Sequence, residues 1–382
     1  LERKIGRGLN EMIELQKMRR MVVKVGTSTL THSTGKLNLG QLERLVREFA
    51  DIRNRGIEVI LVSSGAVGAG MGRLGLKKKP QNIPEKQALA AVGQGILMQM
   101  YEKLFAEYGE VVAQILLTRE DINQRDRYLN ARNTLLTLLK LGVIPIINEN
   151  DTVAFEEIKF GDNDTLAALV AGLVDADLLV LLTDIDGLYT ADPRKDQTAQ
   201  LLKEVHELAP EIMNLAGEAG SALGSGGMLT KIQAAEIVGN SGIPMIVANG
   251  MRQGVLKEIV MGENPGTLFL PSEHRLNSRK AWIGYASKAC GAVYVDEGAE
   301  KALLEMGKSL LPSGIIDVED DFERGSVVSV RGKSGEIARG IVNYGAAEIR
   351  KIMGRQSKEI SKILGYKDFD EVIHRDNLTL RK

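Results

Sequence analysis

The chain has 382 residues, 44% hydrophobic but only 4% aromatic, and its 49 lysines and arginines against 50 aspartates and glutamates leave a net charge of −1. That length exceeds what one compact core holds, so two domains are expected, and the balanced charge gives no net field to draw in nucleic acid or a membrane surface. The single cysteine, Cys290, excludes an intramolecular disulfide framework and a multi-cysteine metal site, and is expected to pack as a small hydrophobe.

Residues 1–20 are mixed and charged, with no apolar segment of the secretory type, and read as an N-terminal extension of unknown role. No apolar run approaches the roughly 20 residues that span a bilayer, so the expectation is a soluble, cytoplasmic protein. From Met21 short β-branched runs alternate with helical periodicity. The first run, Met21-Val22-Val23-Lys24-Val25, ends in Gly26-Thr27-Ser28 and carries a lysine in its middle. Lysine is almost never fully buried without a partner. Either Lys24 snorkels from an edge strand, or its charge is wanted at the strand's carboxyl end, where open α/β sheets bind ligands.

A helix is expected over 41–55, then a strand over 59–62 running into Ser63-Ser64-Gly65-Ala66. A helix over 87–108 precedes a strand over 111–117 that leads into Thr118-Arg119-Glu120. A helix over 132–141 precedes a strand over 143–147 leading into Asn148-Glu149-Asn150-Asp151. The helix over 165–174 is opened by Gly161-Asp162-Asn163-Asp164, and the strand over 178–182 runs into Thr183-Asp184. A glycine-rich segment then starts a helix ending near Gly239, followed by a strand over 243–247. Near-continuous apolar strands between helices predict an αβα sandwich on a mainly parallel sheet, spanning 21–271. A polar, small-residue linker follows at 272–290. Residues 291–382 read as a small, mainly β, barrel-like domain. Its strands are expected at 293–295, 315–318, 326–330 and 336–343, with a helix over 299–306 and a charged helical tail.

Three polar clusters at strand ends or helix starts could carry chemistry. In Leu223-Gly224-Ser225-Gly226-Gly227-Met228-Leu229-Thr230-Lys231, glycines would let backbone N–H groups approach an anion at a helix start. Lys231 falls in a first helical turn, where a cation is ordinarily disfavoured; the competing reading is a flexible glycine hinge. The spacing is neither a Walker A loop nor a dinucleotide fingerprint, which argues against a dehydrogenase. In Gly161-Asp162-Asn163-Asp164 two carboxylates flank an amide, more than one helix cap requires. Asn148-Glu149-Asn150-Asp151 offers acceptors for an ammonium group and donors for a carboxylate, or is simply a polar loop. Lysine cations with backbone donors are the parts of phosphoryl transfer. His32, His206, His274 and His374 are scattered, and none has triad or metal spacing.

Long ordered strings carry a resemblance: VVKVGTSTL at 22–30, LVSSGAVGAG at 61–70, AAVGQ at 90–94, LLTREDINQRDRYLNARNTL at 116–135, PIINENDTVA at 145–154, IKFGDNDTLAALVA at 158–171, LLTDIDGLYTADPR at 181–194 and GSGGMLTKIQAA at 224–235. From about Met21 onward the chain resembles the amino acid kinase superfamily and, within it, the bacterial two-domain glutamate 5-kinase family. The resemblance implies ATP-dependent phosphorylation of the γ-carboxylate of L-glutamate to glutamyl 5-phosphate, the first step toward proline. It implies that Lys24 and Lys231 contact the phosphates and stabilise the transferring group, with Asp164 organising them. It makes Ser64, Asp151 and Asn163 glutamate ligands, with Asn148 a further candidate. It places ATP on Thr183, Asp184 and the loop Ser225, Gly226, Gly227, Met228, Leu229, Thr230 and Lys231. Mg²⁺ would come with ATP, without an assigned protein ligand. It also implies feedback inhibition by proline and a homo-dimer or tetramer.

The part from about Ala292 resembles a PUA domain, a fold often found in RNA-modifying enzymes. This supplies a rival reading, an RNA-binding protein. Between 291 and 382 there are 15 lysines and arginines and 16 aspartates and glutamates, net −1, whereas RNA-binding surfaces are usually clearly basic. Sibling kinases acting on aspartate, acetylglutamate, carbamate or UMP would share the lysine clamps and differ in the substrate loops. The NENDTVA and FGDNDTLAA segments and the appended β domain favour glutamate.

Overall fold

The computed structural model describes residues 18–154, 163–191, 196, 198–208, 212, 227–271 and 289–380, except 33, 77, 79, 81 and 334. Most of the expected extension and of the 272–290 linker lies outside these residues. The chain divides into two compact units, residues 1–275 and 276–382.

The first unit is built on eight strands: β1 (Arg20–Val25), β2 (Glu58–Ser63), β3 (Val112–Leu117), β4 (Ile144–Glu149), β5 (Leu178–Thr183), β6 (Glu204–Val205), β7 (Met245–Asn249) and β8 (Thr267–Phe269). Their order is β3-β4-β2-β1-β5-β7-β8-β6. Neighbours from β3 to β7 are parallel, and β8 turns antiparallel to β7. Parallel neighbours need crossovers, and helices supply them. Both β4 and β5 are buried along their whole length, as strands covered on both faces are. The core joins strand residues such as Val23, Leu61, Ile146 and Val180 to Phe49, Leu97, Tyr101 and Phe105 from the helices.

Strand β1 lies mid-sheet, with Lys24 opposite Val62 of β2 and Leu181 of β5. The edge-strand reading of Lys24 is therefore wrong. The expected strands are present, and two pieces too short for periodicity to reveal, β6 and β8, extend the sheet. Strand β4 continues through Asn148 and Glu149, both buried, where a loop was expected. The helix Ile83–Ala106 starts earlier than expected, because Asn82 caps it by accepting from Glu85 N at 2.9 Å and a proline occupies its opening turn.

The sequence also hides a helix, Ala66–Leu74, directly after β2. Its glycines suggest a loop, yet they serve packing. A Cβ on Gly93 would stand 1.7 Å from the Ala66 carbonyl oxygen, and one on Gly70 2.1 Å from that of Leu89. Only glycine lets this helix and Ile83–Ala106 touch backbone to backbone.

The second unit holds a five-stranded sheet ordered β10-β9-β11-β12-β13, with β9 (Ala292–Val295), β10 (Ile315–Glu319), β11 (Val327–Gly332), β12 (Gly335–Ile341) and β13 (Leu378–Leu380). All pairs are antiparallel except β9 with β11. Val293, Val328, Val330, Leu303 and Tyr344 anchor its core. Two expectations are corrected. The tail contains the helices Ala346–Ile352 and Ile360–Leu364 but ends as β13, which adds to the sheet edge along β12. Cys290 is exposed, because it sits just before β9 with its backbone N–H donated to Val327 O at 2.8 Å and its side chain outside the core.

Candidate active site

The carboxyl end of β1 and two helix starts meet around one carboxylate. Asp164 is the second residue of the helix Asn163–Leu173 and is 0% exposed. Lys24 reaches it from β1, with Nζ 2.6 Å from Oδ1. Lys231 reaches it from the first turn of the helix Met228–Asn240, with Nζ 3.0 Å from Oδ2. The lysines are 6% and 4% exposed. Thr230 adds its hydroxyl at 3.0 Å from Oδ2, shared with the Gly227 carbonyl at 2.8 Å. Burial alone would raise the Asp164 carboxyl. The ammonium groups of Lys24 and Lys231 outweigh it and hold the group well below the usual carboxylate range.

These three side chains together carry +1. Taking each ion out of water costs several kcal/mol, and apolar replacements of buried ion clusters are often neutral or stabilising. Folding therefore gives no reason to keep two lysines here. The Lys231 position is unfavourable for the helix dipole as well. Two cations held side by side at the carboxyl edge of a parallel sheet are suited to an anion.

Beside this cluster lies a network of amides whose orientation the backbone fixes. Asn148 Oδ1 accepts from Glu149 N at 2.9 Å, so that atom must be oxygen. The same oxygen accepts from Asn163 Nδ2 at 2.9 Å. Asn163 Nδ2 also faces the Ser63 carbonyl and Ser64 Oγ, both at 2.9 Å. Its two protons thus meet three acceptors, which makes its other side-chain atom the acceptor oxygen, Oδ1. Asn148 Nδ2 donates to Gln94 Oε1 at 2.9 Å and keeps a second proton. Since Asn163 and Asp164 are consecutive, the network and the lysine cluster form one continuous site.

Comparison with known proteins fits this arrangement. The model of the Amino acid kinase family matches residues 19–249, and that of the PUA domain matches 291–364. The glutamate 5-kinase of Moorella thermoacetica is 60% identical over 367 residues, covering 96% of this chain and 97% of that protein. Those of Thermoanaerobacter sp. and Geobacter sulfurreducens are 58% and 51% identical, covering 94% and 96% of this chain and 97% and 98% of theirs. The chain belongs to the amino acid kinase family, among the glutamate 5-kinases.

In this amino acid kinase the expected residues divide into those brought together and those that are not. Lys24, Lys231, Asp164 and Thr230 share one cluster, and Ser64, Asn148 and Asn163 share the adjoining one. Thr183, buried at the end of β5, donates to the exposed Asp184 carboxylate at 3.1 Å. Asp151 lies in the turn after β4, half-buried. Gly227 caps the helix whose first residues are Met228, buried, and Leu229, 45% exposed. Ser225, Gly226, Gly161 and Asp162 lie outside the described residues. Gln94 and Ser63 are network members to which the sequence assigned no role. The kinase's second unit has a cavity of about 760 Å³ near Leu303, Lys308, His374 and Arg375, with nothing like the lysine–aspartate cluster lining it.

Proposed function

We propose that the chain transfers the γ-phosphoryl group of ATP to the γ-carboxylate of L-glutamate, giving L-glutamyl 5-phosphate and ADP in the first step toward proline. The observation that carries the reading is the convergence of Lys24 and Lys231, from segments far apart in sequence, on the single buried carboxylate of Asp164. The names of close relatives covering nearly the whole chain support glutamate as the acceptor.

The acceptor carboxylate is already ionised at neutral pH, its ordinary pKa being about 4.3, so no general base is needed. The chemistry reduces to placing two anions in line and offsetting their charge. Lys24 and Lys231 stabilise the transferring group, and Asp164 fixes both ammonium groups. The carbonyl oxygen of Asn163 and the carboxylate of Asp151 suit the substrate's ammonium group. The spare N–H of Asn148 and the Ser64 hydroxyl suit its carboxylates. Thr183, Asp184 and the loop Ser225 to Lys231 form the nucleotide side. Mg²⁺, bound with ATP, would screen the phosphate oxygens; it takes one or two carboxylates beside them, and exposed Asp184 is a donor of that kind.

Feedback inhibition by proline, assembly as a homo-dimer or tetramer and a cytoplasmic location complete the reading, on family membership. Among the described residues no helix is long and apolar enough to cross a membrane. The test is hydroxamate trapping of the acyl phosphate with ATP, Mg²⁺ and a panel of acidic amino acids. Glutamate should be preferred; a stronger response to aspartate or acetylglutamate would reassign the substrate.

A further inference from the structure

Three polar residues of the helix Ile83–Ala106 stand seven apart in sequence: Gln87, Gln94 and Tyr101. Seven residues are nearly two full turns, so the three lie on one line down the helix. Each bonds a different segment of the candidate amino acid pocket. Gln87 Nε2 donates to the Ala154 carbonyl at 3.3 Å, at the end of the turn carrying Asp151. Gln94 Oε1 accepts from Asn148 Nδ2 at 2.9 Å, at the end of β4. The Tyr101 hydroxyl shares a 2.9 Å bond with Ser63 Oγ, at the end of β2 and next to Ser64. Packing alone would favour apolar side chains on such a line, as at the fully buried Leu97 and Phe105 of the same helix. The glycine contacts of Gly70 and Gly93 lock the helix against the one that follows Ser64.

We propose that Ile83–Ala106 is the positioning brace of the amino acid pocket, with Gln94 as its central positioning residue; this rests on the glutamate reading above. Asn148 is held at Oδ1 by a backbone N–H and at Nδ2 by Gln94, so its second N–H has one direction. Without Gln94 the amide is held at one end only. It can then tilt, carrying Asn163 with it through their shared bond. Gln94 acts on the amino acid through these amides: its hydrogen bond is made with Asn148, not with Lys24, Lys231, Asp164 or Thr230. Its effect should fall on one substrate.

The test compares Gln94→Met, which keeps the length and loses the acceptor, with Gln94→Glu, which keeps an acceptor at the same place. Wild type is assayed first with the acidic amino acid panel. If it prefers another acceptor, the functional reading fails, and the brace is then tested on the KM of that acceptor. In Gln94→Met the amino acid KM should rise about three- to tenfold, the worth of one net hydrogen bond. Its kcat and ATP KM should stay within about twofold, and Gln94→Glu should recover part of the loss. A merely structural role would lower thermal stability without this split. An unchanged amino acid KM, a parallel rise in both KM values, or no recovery in Gln94→Glu would overturn the proposal. Should Gln94→Met not fold, Tyr101→Phe, which loses only the bond to Ser63, must show the same split or the brace is refuted.

Discussion

Replacing Lys24 with methionine keeps the aliphatic stem in β1 and removes only the ammonium group 2.6 Å from Asp164. The charge of the three-residue cluster drops from +1 to zero. The Asp164 carboxylate keeps Lys231 and the Thr230 hydroxyl, each at 3.0 Å. It is therefore not orphaned, and the stability loss should stay below the roughly 3–5 kcal/mol of a fully broken buried pair. Turnover is another matter. A preorganised cation or donor aimed at developing charge is worth about 2.7–4 kcal/mol, or about 10²- to 10³-fold in kcat. Lys24→Met should lose at least that much at saturating ATP and glutamate. ATP should still bind measurably, because the remainder of its site is intact. Hydroxamate formation gives kcat, and ATP titration gives its KM. A folded Lys24→Met protein turning over within tenfold of wild type would refute the clamp, and Lys231→Met is held to the same standard.

Asp151→Asn should mainly raise the glutamate KM; a raised ATP KM instead would put that turn on the wrong ligand. Asp164→Asn should lower thermal stability of the folded protein by an amount that is constant above about pH 5. The carboxyl is held low in the folded state. Its contribution is therefore fully present above the unfolded value near 3.9 and is lost as pH falls below that toward the folded value. Melting curves of wild type and Asp164→Asn should converge only under strongly acidic conditions, and convergence near pH 6 would contradict the assigned charge state. Truncation after Ser287 should leave glutamate phosphorylation measurable, and complete loss in a folded fragment would give the second unit a catalytic part. Tight RNA binding by residues 291–382 with a steep salt dependence would revive the RNA reading.

Much of the first unit could be read from sequence because its strands are unbroken apolar runs ending in polar turns. What could not be read was set by tertiary contact. The helix Ala66–Leu74 looks like a glycine loop until Gly70 and Gly93 are seen to be contact points with a second helix. Strands β6 and β8 are too short for any period. Asn148 and Glu149 read as loop residues because polar side chains at a strand's end resemble a turn, yet both continue the β4 ladder beside β3.

The same contrast runs through the site. Lys24 and Lys231 were conspicuous because each breaks a local rule, one as a lysine in an apolar strand and the other as a cation in a first helical turn. A local violation is visible in one segment, so both could be singled out before their common partner was known. Gln87, Gln94 and Tyr101 break no rule, since glutamine and tyrosine are ordinary on a helix. Only the coincidence of a seven-residue spacing with the ends of β2 and β4 and the turn after β4 gives them meaning. Residues that bear charge against their surroundings can thus be read from sequence, whereas residues that aim other residues need the fold. Lys24→Met and Gln94→Met separate these two kinds of residue experimentally: the first should act on kcat, the second on the KM of one substrate.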